Sequence, residues 1–216
     1  MRRSAHRRQQ RRPDQATYSW VDQPFRLLEN PMNPVEVLST EQIERIHQVS
    51  LRILAETGIE FLDDEALELW QGAGAQVDRT IRRVRLDPDL VMALVARAPA
   101  RFTMRARNPA RNLQLGGNYI TFAPGAGCPF VSDLERGRRP GNLAAFQESV
   151  KLVQQCPPLH MVGGVMVEPQ DLPAPVRHLE QLYSQFVFSD KAVITPSRGR
   201  QVATDCINMA ALVFGG

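Results

Sequence analysis

Two short apolar segments near the C-terminus constrain this chain more than any other feature. Residues 161–167 and 192–195 are almost wholly apolar, and they lie between amphipathic stretches at 142–155, 174–188 and 198–213. A strand that is apolar on both faces needs cover on both, which a parallel sheet between helices supplies and a half-wet antiparallel sheet does not. The pattern predicts an α/β arrangement over 142–216, with helices on the three amphipathic stretches and parallel strands between them. Gly163-Gly164 inside the first segment is poor strand material, which points to close approach of another backbone or of a ligand, or equally to interior packing.

The upstream residues follow other periods. Ser39 and Gln42 fit a capping box, and Ile43, Ile46, Ser50, Ile53 and Leu54 recur at helical spacing until Gly58. Asp63 or Asp64 caps a second helix carrying Ala66, Leu67, Leu69 and Trp70, ended by Gly72-Ala73-Gly74. Asp87-Pro88 opens a third, with Leu90, Val91, Leu94, Val95 and Ala98 expected to face inward. No strong strand is expected before Arg101. From there Phe102, Met104 and Ala106, then Leu113 and Leu115, then Tyr119 to Phe122, alternate as half-buried strands of a small antiparallel sheet. Phe130 to Asp133 begins a further hairpin closed near Gly137.

Three segments result. Residues 1–38 read as a basic, disordered tail and an irregular arm rich in proline, residues 39–141 as N-terminal helices with an antiparallel β segment, and residues 142–216 as the parallel part. Arg2, Arg3, Arg7, Arg8, Arg11 and Arg12 carry the basic charge, leaving 20 bases against 23 acids in residues 13–216. Without interleaved aromatics, such a run is more often a solvated arm than a nucleic-acid grip. Residues 112–132 are free of charge, but Asn112, Gln114, Asn118 and several glycines and prolines make them strand and loop rather than a membrane span. Cys128, Cys156 and Cys206 stand 28 and 50 residues apart, so no pair has the spacing of a zinc clamp, and a reducing cytoplasm fits best.

The stretch Phe130-Val131-Ser132-Asp133-Leu134-Glu135-Arg136-Gly137-Arg138-Arg139-Pro140 is followed by Val162-Gly163-Gly164-Val165, by Glu168-Pro169-Gln170-Asp171-Leu172-Pro173 and by Arg177-His178-Leu179-Glu180. Together with Ser189-Asp190-Lys191 and Ser197-Arg198-Gly199-Arg200, these residues resemble the trimethylamine methyltransferase family. Ile53 to Ile59, Gly72 to Ala75 and Ala98-Pro99 are similar to that family's N-terminal region, so the likeness runs from about Leu38 to Gly216. The resemblance implies a (β/α)8 barrel of TIM type behind an N-terminal helical and β segment. It also implies transfer of a methyl group from a methylated amine to a cobalt corrinoid carried by a partner protein. A full barrel needs roughly 250 residues in eight units, and residues 142–216 hold two strands. The expected fold is therefore the first βα units of an incomplete barrel, with no corrinoid bound by the chain itself and no methyl transfer by the chain alone. The alternative is a non-catalytic fragment or interaction protein that assembles with a complementary barrel portion or with another copy of itself.

In a barrel, ligands meet the C-terminal ends of the strands. That places Glu168 and Asp171 after the first strand and Thr195, Ser197 and Arg198 after the second as candidate substrate contacts. The carboxylates suit an ammonium, and Arg198 suits a substrate carboxylate. Other readings stand beside these: Asp171 as a cap of the following helix, Arg198 paired with Asp190 or Asp205, and His178 as a helix-helix contact. His160, before the first strand, lies at the opposite end, where structural hydrogen bonding is favoured over catalysis. Cys128 lacks a neighbouring His in sequence to activate it.

Overall fold

The computed structural model describes residues 23–33, 35–196 and 198–215; the arginine run and Ser197 lie outside these. In chain order the elements are β1 (Leu28–Glu29), α1 (Thr40–Arg52), β2 (Ile59–Glu60), α2 (Asp64–Gly72), β3 (Gln76–Asp78), β4 (Arg83–Arg85) and α3 (Pro88–Val95). They continue with β5 (Arg101–Met104), β6 (Leu113–Gly116), β7 (Tyr119–Ile120), β8 (Phe130–Asp133), β9 (Gly137–Pro140) and α4 (Leu143–Gln154). The last are β10 (Met161–Val162), α5 (Arg177–Phe188), β11 (Ala192–Val193) and α6 (Gly199–Phe214). The class is mixed α/β, and none of the sheets closes into a barrel. No helix among the described residues is long and apolar enough to cross a membrane. The chain divides into two compact units, residues 30–102 and the remainder.

In the unit spanning 30–102, the expected caps are present. Ser39 accepts from the Gln42 N–H while the Gln42 side chain accepts from the Ser39 N–H at 2.9 Å, and Asp63 and Asp87 cap α2 and α3. A π-helical turn, Ile53–Thr57, extends α1 to Gly58, whose φ of 71° is glycine territory; a Cβ there would lie 2.4 Å from the Val84 carbonyl oxygen. The core is small: Leu67, Val84 and Leu86, with Leu54, Phe61, Trp70 and Val91 packed on it.

Two expectations fail here. Ile43 and Ile46 are each 57% exposed, since this segment reaches the core only through Leu54 of the π-turn that follows α1; Val95 at the end of α3 and Ala98 beyond it are likewise exposed, and only Leu90, Val91 and Leu94 turn partly inward. In addition, the order β2-β4-β3 forms an antiparallel sheet of short strands before Arg101, where no strong strand was expected.

In the other unit, β5 pairs with β6, but β7 takes β1 as its antiparallel partner, Leu28 opposite Ile120. The proline-rich arm is thus regular at Leu28–Glu29, and the single antiparallel sheet expected over 102–122 is two separate ladders. The β8–β9 hairpin forms as expected. Beyond it, β10 and β11 pair in parallel, Met161 with Ala192 and Val162 with Val193, and α5 connects them. Phe146, Val150 and Val153 of α4 cover the pair on one side, packed with Val162, Met166 and Val167. Leu182 and Phe186 of α5 meet Cys206 of α6 in a second cluster.

The ladder is shorter than the apolar run 161–167. Gly164 has φ 49°, and Cβ atoms added at Gly163 and Gly164 would stand 3.0 and 3.1 Å from the Cβ atoms of Ala123 and Ala126. The loop before β8 therefore crosses the end of β10 at a distance where a side chain would be tightly crowded. It is held there by hydrogen bonds from Gly127 N–H to the Val165 carbonyl, 2.7 Å, and from Glu168 N–H to the Cys128 carbonyl, 2.9 Å.

Candidate functional site

Strands β10 and β11 run in the same direction, so the unit has an N-terminal end and a C-terminal end. At the N-terminal end, Lys191 is 1% exposed, and its ammonium donates to the carbonyls of Val153, Cys156 and Leu159 at 2.6, 2.7 and 2.7 Å. Three acceptors match the three donors of –NH3+, and two of them lie at the C-terminal end of α4, where the helix dipole favours a cation. Burial, reinforced by the charge of Arg111, lowers the Lys191 pKa from 10.5 to about 8.

Asp190 beside it takes Arg111 at 3.0 Å, Asn108 Nδ2 at 2.9 Å and Gln154 Nε2 at 2.9 Å. Burial works to raise its pKa, but these donors outweigh it and hold the carboxyl below its usual value. His160 accepts from the Phe122 N–H through Nδ1 at 2.8 Å and donates from Nε2 to the Arg26 carbonyl at 2.9 Å. Burial lowers its pKa, with the charge of Lys191 acting in the same direction, so the neutral ring with its proton on Nε2 fits both bonds. This end is a closed structural network.

At the C-terminal end a cleft of about 180 Å³ opens between the first turns of α5 and α6. Its lining includes Glu168, Arg177, His178, Gln181, Pro196 and Arg198. Arg177 donates through Nη1 to Glu168 and through Nη2 to the Leu172 carbonyl at 2.8 Å, which fixes the orientation of its guanidinium. His178 is buried and meets Asp205 of α6 at 3.0 Å, a helix-helix contact as expected. Gln181, one helical turn beyond Arg177, is 2% exposed.

The four candidate residues separate. Glu168 and Arg198 share the cleft. Arg198 is not paired with Asp190 or Asp205, whose partners are Arg111, Asn108 and Gln154 in the first case and His178 and Gln201 in the second. Asp171 accepts from the Leu143 N–H at 2.9 Å; it caps α4, which precedes it by 28 residues, and not the helix that follows. Thr195 turns to the apolar side, its Oγ1 3.2 Å from Cys206 Sγ. Cys128 is exposed on the crossing loop.

Arg177 and Gln181 were not anticipated at the cleft, although their i, i+4 spacing in the first turns of a helix after β10 was a readable signal. Lys191 was equally unforeseen; a charged residue directly before an apolar strand is the clue that it is buried.

Comparison with known proteins places this arrangement. The family model described as trimethylamine methyltransferase (MTTB) matches residues 2–216, and the chain belongs to that family. A glycine betaine methyltransferase of Desulfitobacterium hafniense is 40% identical over 180 residues, covering 83% of this chain and 37% of the relative. A trimethylamine methyltransferase MttB of the same species is 26% identical over 185 residues, covering 82% and 36%. A proline betaine:corrinoid methyltransferase of Eubacterium limosum is 40% identical over 82 residues, 38% of this chain and 16% of the relative. The chain spans somewhat over a third of the length of the first two.

Proposed function

We propose that this chain forms part of a corrinoid-dependent methyltransferase acting on a methylated or quaternary amine, and that the C-terminal ends of β10 and β11 face the substrate. The observation that carries the reading is the β10–α5–β11 unit with its open cleft at the end where barrel enzymes place their sites. In this reading residues 142–216 begin a (β/α)8 barrel. The outer edge of β11, unpaired among the described residues, would receive the next strand.

Amines are poor leaving groups, and a quaternary or protonated nitrogen departs more readily. The methyl acceptor, a corrinoid carried by a partner protein in the cytoplasm, supplies the attacking electron pair. The residues of this chain bind and orient. Glu168, held by Arg177, offers negative charge to the ammonium, and Arg198 offers positive charge to a substrate carboxylate. Val165, Ala174, Pro196 and Val202 supply apolar walls. Asp171 and Thr195, bonded elsewhere, support the scaffold.

Two preparations test this reading: the chain alone, and the chain fused to the part of the D. hafniense glycine betaine methyltransferase that lies beyond the match. Each is incubated with cob(I)alamin and glycine betaine, proline betaine or trimethylamine. The expected result is methylation of the corrinoid, followed by its visible spectrum, by the fusion and not by the chain alone, whose two parallel strands enclose no chamber. A folded fusion inactive with all three amines would contradict the reading.

A second reading, assembly through this half of the molecule, is favoured by the exposed faces of α5 and α6. Tyr183, Val187, Met209 and Leu212 line an apolar groove of about 430 Å³, and Leu212 is 86% exposed. Light scattering after size exclusion is expected to show a dimer or larger species, and a monomer at high concentration would remove this reading.

A further inference from the structure

Resting on and deepening the reading of Arg198 as a partner for a substrate carboxylate, we propose that the cleft between the first turns of α5 and α6 is a binding site for a small oxyanion, a carboxylate or a phosphate group. Helices α1 to α4 are each closed at the N-terminus by a side-chain oxygen, from Ser39, Asp63, Asp87 and Asn142. In helices α5 and α6, 12 and 16 residues long, the N-cap residues, Val176 and Arg198, make no side-chain cap. Two positive helix ends thus border one cleft, which favours an anion between them.

Independent of the helix ends, the cleft contains donors without acceptors. Gln181 is 2% exposed, and its Nε2 has no hydrogen-bond partner. Arg177 Nε is also buried and unpartnered, although both terminal nitrogens of the same guanidinium are engaged. Buried donors in native proteins are nearly always satisfied, so two of them on residues that line one opening point to an acceptor there. The lining carries two guanidinium groups, Arg177 and Arg198, against the single carboxylate of Glu168, and an acceptor bearing negative charge completes that set better than a neutral one. At about 180 Å³ the cleft suits one carboxylate or phosphate group rather than a nucleotide.

Titration calorimetry on the 216-residue chain tests this with sodium acetate, inorganic phosphate and trimethylammonium chloride. Acetate and phosphate donate no methyl group, so the outcome is separate from that of the methyl-transfer assay. Saturable binding of acetate or phosphate, tighter than any binding of trimethylammonium, is expected. Tighter acetate binding would assign the site to a carboxylate, and tighter phosphate binding to a phosphate group. Arg198→Gln, on an exposed residue, and Gln181→Met, which removes the buried donor, are each expected to weaken binding by on the order of tenfold. If Gln181→Met does not fold, Arg198→Gln decides. No saturable binding of either anion by a chain with a cooperative melt, or binding unchanged in Arg198→Gln, would overturn the proposal.

Discussion

At the N-terminal end of β10 and β11, Lys191 meets three carbonyls, both ring nitrogens of His160 are bonded, and Asp190 accepts from three side chains. At the C-terminal end, barely two residues of ladder away, Gln181 Nε2 and Arg177 Nε have no partner, and the N-cap residues of two helices make no side-chain cap. The contrast teaches where each kind of work is done. Polar groups at one end are spent on each other and hold the strands to α4 and the arm, whereas at the other end two buried donors, Gln181 Nε2 and Arg177 Nε, are left without acceptors.

The largest expected effect of breaking this contrast is at the closed end. Lys191→Met leaves three buried carbonyls without a donor and is expected to cost about 3 kcal/mol in urea unfolding, with anion binding unchanged in the fraction still folded. The same residue sharpens the comparison through pH. Because its folded pKa, about 8, lies below 10.5, the unfolded chain holds the proton between those values while the folded chain has released it. Stability attributable to Lys191 therefore rises with pH across that window, and the difference between wild type and Lys191→Met is expected to widen from pH 8 to pH 10.

Next in size is Gly164→Ala, which forces a side chain into the left-handed region 3.1 Å from Ala126 Cβ. A loss of about 1–2 kcal/mol is expected in thermal or urea unfolding. His160 contributes a smaller effect of the same sign in the acid range: its lowered folded pKa means that stability falls as pH drops below 6.5, where the unfolded imidazole takes up a proton first. A melt series from pH 7 to pH 5 on wild type and His160→Gln is expected to show the steeper decline in wild type. Smallest is Arg198→Gln, expected to move stability by less than about 0.5 kcal/mol while changing binding, which is how an open-end residue differs from a closed-end one.

Much of the scaffold was readable because it is local. Ser39 with Gln42, Asp63 and Asp87-Pro88 announce helix starts through short-range bonds, and the apolar run at 161–167 announces a buried strand. The sheet β2-β4-β3 was not readable, since Gln76-Val77-Asp78 and Arg83-Val84-Arg85 each carry one apolar residue between polar ones and owe their pairing to the small core around Val84. The role of Asp171 was half-legible: a cap was the right chemistry, but its partner lies 28 residues back, and sequence does not show which helix start approaches it.

At the candidate site, Glu168 and Arg198 follow from the barrel rule alone. Thr195 shows the limit of that rule, because after a two-residue strand a one-position difference in facing sends a side chain to Cys206 rather than to the cleft. Arg177 and Gln181 become visible only once Glu168 and the Leu172 carbonyl have fixed the guanidinium and burial has isolated the amide.

The central claim is that ligand meets the C-terminal end of the parallel pair and that the N-terminal end is structural. Amide chemical-shift mapping of the 15N-labelled chain during titration with glycine betaine tests it most directly. The account predicts perturbations centred on Glu168, Arg177, Gln181 and Arg198, with His160, Asp190 and Lys191 unmoved. Perturbations centred on Lys191 and His160, with the cleft unmoved, would contradict it.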